Sequence, residues 1–321
     1  YIADSFLRSS SYMIKNIKHY IKNRFPDANN RLHFFEGDIR DYNFLNKIFS
    51  FANLNSKNIE AVVHLAGLKS VSESVNKPLL YWDNNLCGAI NLLRVMAQND
   101  CKTIVFSSSA AIYDPYDSNK IVEETRINPI NPYGQTKAAI EILLKDIYKS
   151  DPKNWRVANL RYFNPLGAHK SGLIGEEVLS DASNLFPNII KVALKIKKEV
   201  YIYGNNWDTF DGTCIRDYIH VMDLAEGHIR TLEYLLSKRN KYLNLNLGTG
   251  EGKSVLEVIK TFEDINKVKI PFVYKDRREG DREKIIANIS FSKKVLNWSP
   301  VLNLEDMCID SWRWINSKNK N

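Results

Sequence analysis

Four short apolar runs mark the first half of the chain: "LHFFEGD" (32–38), "IEAVVHLAG" (59–67), "KTIVFSSS" (102–109) and "WRVANLRYFN" (155–164). Each is rich in Val, Ile, Leu or Phe and ends at Gly, Asp, Ser or Asn, as a buried strand closed by a turn does. Between them the pattern changes to a helical period. Over 81–98, Leu86, Ile90, Leu93 and Ala97 fall on one face, and a second helical stretch covers 134–149. Strands alternating with helices predict an α/β fold, a doubly wound parallel sheet of right-handed β-α-β units. Ligands of such sheets bind beyond the C-terminal strand ends, so the residues just after each run are the ones to inspect.

Beyond residue 165 the pattern loosens. Loops with Gly, Pro and Asn cover 165–188 and 204–215, followed by short strand and helix pieces. The expectation is a first domain over 1–164, which also uses 217–248, and a smaller α/β domain over 165–321. Within 217–248, "DYIHVMDLAEGHIRTLEYL" (217–235) reads as a helix with its lead-in and "YLNLNLG" (242–248) as one more strand.

A chain of 321 residues is long enough for about two domains. Its net charge of +8 rests on Lys spread along the chain, densest at Lys191, Lys195, Lys197 and Lys198. That is a solvated surface and a field suited to an anionic small substrate. The basic stripe with interleaved aromatics that nucleic-acid binding needs is not visible, so no nucleic-acid partner is expected. Cys87, Cys101, Cys214 and Cys308 lie far apart without C-x-x-C spacing, and the six His are scattered. A reducing cytoplasmic setting and no metal are therefore expected. No apolar run is long enough for a membrane span, and no secretory signal is visible.

"GTGEGKS" (248–254) resembles two phosphate-binding fingerprints and matches neither. Gly248 and Gly252 have three residues between them where the P-loop needs four, and G-x-G-x-G is not G-x-G-x-x-G. A strand-to-helix turn needing small residues is the better reading.

"NPYGQTK" (131–137) places Tyr133 and Lys137 at i and i+4, on one face of a helix. A phenol with a pKa of about 10 is a poor base at neutral pH, and a neighbouring ammonium lowers that value. The pair can thus make Tyr133 a general base. About two dozen residues earlier, "FSSSAAIY" (106–113) ends a buried strand in Ser107, Ser108 and Ser109. Ser, Tyr and Lys in this order, on a strand end and the helix that follows, point to a catalytic triad.

These motifs resemble the extended short-chain dehydrogenase/reductases and, within them, the UDP-glucose 4-epimerases. The resemblance runs from residue 1 to about residue 313. It rests also on "EGDIRD" (36–41), "VVHLAGLKSVSESVNKPLLYWDNN" (62–85), "LRYFNPLGAH" (160–169), "DGTCIRDYIHVMDLAEGH" (211–228), "LNLGTGEGKSVLEVI" (245–259) and "RREGD" (277–281). It implies a Rossmann-like NAD-binding domain and a UDP-sugar-binding domain. The implied reaction inverts C4 of a UDP-hexose: oxidation by bound NAD, rotation of the 4-keto sugar, and re-reduction. Tyr133 would take the O4 proton, Ser109 would bond the same oxygen, and Lys137 would depress the Tyr133 pKa and hold the nicotinamide ribose.

The resemblance further assigns Asp38 and Ile39 to the adenine, and Leu65, Ala66, Gly67 and Lys69 to the pyrophosphate and ribose. Asn84 and Phe163, with Tyr133 and Lys137, complete the NAD set. For the nucleotide sugar it assigns Lys69, Asn164, Asn184 and Leu185, then Tyr201 and Tyr203 by the uracil. Arg216, Arg278 and Asp281 would clamp diphosphate and ribose. Homodimers are usual in the resembled family, and 81–98 and 134–149 would be the interface helices.

The sequence departs from the resembled pattern at three places. Asp114 stands where Gly is usual, so a tight turn is expected to differ. Ala111 stands where Thr is usual. Ile285 stands where a large Tyr narrows the sugar pocket, which predicts partial tolerance of N-acetylated UDP-sugars. The 4,6-dehydratases carry an acid/base Asp-Glu pair after the catalytic hydroxyl, and Ala110–Ala111 occupies that place. The opening "YIAD" reads as the end of the second strand of a dinucleotide-binding sheet. Asp4, flanked by Ser5 and Ser9, would accept from the adenine-ribose hydroxyls and favour NAD over NADP. The strand, Gly-rich loop and helix that normally precede it are not in the sequence, so an inactive, truncated fragment or pseudoenzyme is one alternative, and a UDP-N-acetylhexosamine 4-epimerase is the other.

Overall fold

The computed structural model describes residues 1–318 apart from 23, 26, 28–29, 116–119, 178–183, 238–240 and 279. The expected stretch 165–188 therefore has six residues outside the described ones, and so has "RREGD" its Glu279. The elements begin with β1 (Ile2–Asp4), α1 (Tyr12–Lys22), β2 (Phe34–Glu36), α2 (Tyr42–Leu54) and β3 (Val62–His64). Next come α3 (Val71–Asn76), α4 (Pro78–Tyr81), a π-helical turn (Trp82–Cys87), α5 (Gly88–Gln98) and β4 (Thr103–Ser109). A 3₁₀ turn (Ala110–Ile112) leads to β5 (Lys120–Ile121), α6 (Pro132–Ser150), β6 (Arg156–Tyr162) and β7 (Asn164–Leu166). Then follow α7 (Leu185–Ala193), β8 (Val200–Tyr203), β9 (Ile215–His220), α8 (Val221–Ser237) and β10 (Tyr242–Leu247). The chain closes with β11 (Gly252–Ser254), α9 (Val255–Asn266), β12 (Phe272–Lys275), β13 (Lys284–Ala287), α10 (Ser290–Leu296) and α11 (Leu304–Lys318).

The chain divides into two compact units. The first holds residues 1–108, 131–160 and 231–244, the second 109–130, 161–230 and 245–321. All four apolar runs form strands, each shorter than its run because the flanking polar residues become turns. β1 and β2 pair in parallel as one sheet, and a four-stranded sheet has the order β10–β6–β4–β3, with β3 and β4 parallel. The chain leaves the first unit at the C-terminal ends of β4, β6 and β10. Within the first unit, α2, α5 and α6 bury their apolar faces around Phe49, Leu93, Met96, Phe106, Ile140 and Leu144. Each such side chain contributes about 1.5–3 kcal/mol.

The helix expected over 81–98 is broken. α4 ends at Tyr81, and the π turn carries the chain into α5. Such turns place side chains where a regular helix would not. Here Asn85 becomes buried while Asn84 stays half-buried.

In the second unit β11, β9, β13 and β5 form a sheet, with β7 also on β9, and β8 pairs in parallel with β12. Of the stretch 217–248, then, β10 pairs in the four-stranded sheet and β9 in this one. α9 packs on α11, with the Phe262 ring edge-on to Phe186 and Trp312. No helix of the described residues is long and apolar enough to cross a membrane.

Candidate active site

α6 starts at a cap. Asn131 accepts from the Gly134 N–H at 2.8 Å and Pro132 takes the first turn, where no N–H is needed. That start places Tyr133 half-buried and Lys137 fully inside. The Lys137 ammonium donates to the Ser107 carbonyl at 2.7 Å and lies 4.8 Å from the Phe106 ring centre and 5.9 Å from that of Tyr133. No carboxylate of the described residues lies within 4 Å of it, and burial lowers its pKa to about 8. His64, against Phe106, is driven down to about 3 by burial first and by the Lys137 charge second, so it stays neutral. One turn further along α6, Ser108 donates to the buried Glu141 at 2.5 Å.

Asn85 ties the loop after β3 to this helix. Its Oδ1 accepts from the Leu68 N–H at 2.8 Å, and its Nδ2 donates to the Leu68 carbonyl at 3.0 Å and to Thr136 Oγ1 at 3.1 Å. Thr136 in turn donates to the Tyr133 carbonyl. Gly67 has φ +154, and a Cβ there would stand 3.1 Å from Asn85 Oδ1 and 3.8 Å from the Lys137 ammonium. Leu65, Ala66, Gly67 and Lys69 are exposed along this loop. Asn85 was missed in the sequence: it adjoins Asn84, and only the π turn decides which of the two faces inward.

At the end of β1, Asp4 Oδ1 accepts from the Phe6 N–H at 2.7 Å and from Ser9 at 3.0 Å, and Ser5 accepts from the Leu7 N–H. Phe6 takes φ 53 to close this turn, with its ring stacked on Phe34. Asp4, Ser5 and Ser9 are thus together and exposed. Asp38 is engaged by Arg40, whose side-chain hydrogen bonds lower its pKa, and Arg40 also reaches Asp83 at 2.6 Å. Ile39 packs against Gly88.

The second unit places the remaining residues. Ser109 is half-buried and caps the 3₁₀ turn, its Oγ accepting from the Ala111 N–H at 3.1 Å. Phe163 is buried, and Asn164 donates to the Asp217 carbonyl at 2.8 Å. Asn184 and Leu185 open α7. The Lys197 and Lys275 ammonium groups lie 4.3 and 5.0 Å from the centre of the Tyr201 ring. The Arg278 guanidinium lies 3.6 Å from the centre of the Tyr203 ring. Arg216 bonds Asp281 at 3.2 Å and the Arg282 carbonyl at 2.7 Å, and Ile285 stands beside it in the β9–β13 register.

Two sequence readings are sharpened. Asp114 needs no glycine-like backbone; its carboxylate accepts from Asn128 at 3.2 Å and faces Arg126, while its N–H donates to the Arg126 carbonyl. In "GTGEGKS", the N–H groups that a phosphate would need go to the buried Asp217, which accepts from Thr249 at 2.7 Å and from Gly250 at 2.9 Å.

Residues 3–311 match the family model described as GDP-mannose 4,6 dehydratase. The chain is 44% identical over 313 residues to UDP-glucose 4-epimerase 2 of Arabidopsis thaliana, covering 98% of this chain and 87% of that one. Among solved structures, the UDP-glucose 4-epimerase of Bifidobacterium longum in complex with NAD+ and UDP is 41% identical with TM-score 0.89, over 99% of this chain and 91% of that one. That of Stenotrophomonas maltophila, with bound NAD and formylated UDP-arabinopyranose, is 38% identical with TM-score 0.91 and the same coverage. The chain belongs to the UDP-glucose 4-epimerase family.

Proposed function

We propose that this chain interconverts UDP-glucose and UDP-galactose with a tightly held NAD. The observation that carries the reading is Lys137: a buried ammonium held by the Ser107 carbonyl, the Ser107 hydroxyl at 3.5 Å and the Phe106 ring face, one helical turn from Tyr133. An ammonium held this way costs free energy unless it serves a ligand or a neighbouring anion. The residues fit NAD. Gly67 keeps open a space that a side chain would fill, and Asp4 presents a carboxylate already oriented by Phe6 and Ser9. Bound NAD supplies reversible hydride acceptance from C4 of the sugar.

The chain's own residues do the rest. Tyr133 Oη takes the proton from O4 and returns it, with the Lys137 charge favouring the phenolate. Ser109 spends a lone pair on the Ala111 N–H, which leaves its O–H to donate to O4. Lys137 holds the nicotinamide ribose; Leu65, Ala66, Gly67 and Lys69 hold the pyrophosphate and ribose; Asn84 and Phe163 complete the NAD site; Asp4, Ser5, Ser9, Asp38 and Ile39 hold the adenosine half. Arg216, Arg278 and Asp281 hold the diphosphate and ribose, Tyr201 and Tyr203 the uracil, and Lys69, Asn164, Asn184 and Leu185 the rest of the nucleotide sugar. Elimination of water, as in a 4,6-dehydratase, has no proton carrier on the turn, where Ala110 and Ala111 stand.

The protein would act as a homodimer through the 81–98 and 134–149 segments, a reading supported by Ile142, exposed to 61% on α6. The four free cysteines suit a reducing cytoplasm. The test is conversion of UDP-galactose to UDP-glucose, with NAD supplied and product counted by chromatography. Turnover that disappears in Tyr133→Phe is expected; no turnover, or an unaffected variant, overturns the reading.

A further inference from the structure

Behind the turn that carries Ser109 lies a buried polar network that the reaction above does not use. Tyr113, just after the 3₁₀ turn, points its hydroxyl into the second unit and donates to Asn246 Oδ1 at 2.6 Å. The same hydroxyl accepts from Arg161 Nη1 at 2.9 Å, and Nη1 also donates to the Glu123 carbonyl at 2.7 Å. The guanidinium carbon lies 5.0 Å from the Tyr113 ring centre. Asn246 is fixed in turn. Its Nδ2 donates to the Ile121 carbonyl at 3.0 Å, its N–H donates to Glu123 Oε1 at 2.9 Å, and its carbonyl accepts from Ser292. Arg161, Tyr113 and Asn246 are 1%, 3% and 0% exposed.

A buried guanidinium this far from water is an expensive way to fill a core, and an apolar group of similar volume would serve stability as well or better. Such a group is informative about what it holds in place. Here it holds the far end of a five-residue arch. Ser109 begins the arch and its Oγ bonds the Ala111 N–H; Tyr113 ends it, and its N–H donates to the Ala110 carbonyl. The Ala111 N–H occupies one Ser109 lone pair, so the direction of the Ser109 O–H follows the orientation of the arch. Ala110 and Ala111 are small, and the arch is anchored on its far side by the buried Ile112, whose carbonyl accepts from the Asn128 N–H at 3.0 Å, and by the Tyr113 hydroxyl.

We propose that Tyr113, held by Arg161 and Asn246, is a positioning residue that aims the Ser109 hydroxyl at the sugar O4. The proposal rests on the reading of Ser109 as a group that touches the substrate. Tyr113→Phe keeps the ring and its place in the core and removes only the bridging hydroxyl. The full chain with NAD is assayed for UDP-galactose turnover as wild type, Tyr113→Phe, Ser109→Ala and the double variant, with thermal melting as the folding control. Tyr113→Phe should lower kcat about tenfold while KM stays within about twofold, because aim is lost and binding is not. In the Ser109→Ala background the same substitution should change kcat by less than about twofold, because the residue it aims is gone.

Full kcat in Tyr113→Phe overturns the proposal, and so does an equal loss in both backgrounds. If Tyr113→Phe does not fold, Arg161→Lys, which keeps the charge and loses the fork, is read the same way. If neither variant folds, the network is a folding element and the positioning role is rejected. An inactive wild type, or a Ser109→Ala variant at full rate, would instead reject the functional reading beneath it.

Discussion

The two units hold their cations in opposite ways. On α6, Lys137 is buried against a carbonyl and the Phe106 ring, with no carboxylate of the described residues within ion-pair distance. In the second unit Lys275, at the end of β12, and Arg278, three residues beyond it, lie in the open over Tyr201 and Tyr203 of β8. Water screens the second set, so each member contributes modestly and a neighbour can share its work. Lys137 is buried away from that screening. The first arrangement suits a group whose charge must act on one bond, the second a surface that grips a phosphate-bearing ligand.

The hardest test of that contrast is on α6. Tyr133→Phe should lower kcat by about a thousandfold, the range of a lost general base, with NAD content unchanged. Lys137→Met should cost about a hundredfold, because the positive charge that favours the phenolate is removed.

The same lysine gives a pH signature. Its folded pKa of about 8 lies below its ordinary 10.5. Between those values the unfolded chain binds the extra proton, so stability rises with pH across that window, and below pH 8 the full penalty is present. Relative to Lys137→Met, the wild type should therefore gain on the order of 3 kcal/mol in denaturant melts between pH 8 and 10.5. A constant gap between the two proteins would end the description of Lys137 as an uncompensated buried ammonium.

On the second unit effects should be smaller and appear in KM. Arg216→Ala should raise KM for the UDP-sugar about thirtyfold, since the side chain is largely buried and fixed by Asp281 and the Arg282 carbonyl. Arg278→Ala, on an exposed side chain, should raise it only about fivefold, and added salt should narrow the gap to wild type. A large kcat loss in Arg278→Ala would mean that the open set also acts on the reacting centre. The smallest change concerns Ile285 beside Arg216. The wild type should turn over UDP-N-acetylglucosamine at a reduced rate, and Ile285→Tyr should lower the acetylated-to-plain rate ratio about tenfold. No turnover of the acetylated sugar by a wild type active on UDP-galactose would refute the prediction.

Much of the fold could be read in advance because buried strands must be apolar and their ends must turn. Runs at 34–36, 62–64, 103–109 and 156–162 became strands for that reason. Tyr133 and Lys137 were legible because a helix brings i and i+4 together without help from elsewhere. Other features depend on partners distant in sequence. The π turn that separates Asn84 from Asn85, the capture of the Thr249 and Gly250 N–H groups by Asp217, and the Arg40 grip on Asp38 are of this kind. Asp114 taught the same lesson, since its side chain is satisfied by Asn128, fourteen residues on.

The sequence by itself determined the alternation of strand and helix, the pairing of Tyr133 with Lys137 and the Ser run that ends β4, because each follows from local periodicity and side-chain type. Only the tertiary structure decided that Lys137 would be dry, that Asn85 would pin the loop at Gly67, and that Arg161 would be buried behind the Ser109 turn. Burial and long-range hydrogen bonds are properties of where the chain returns to, and one stretch of residues does not encode its distant partner.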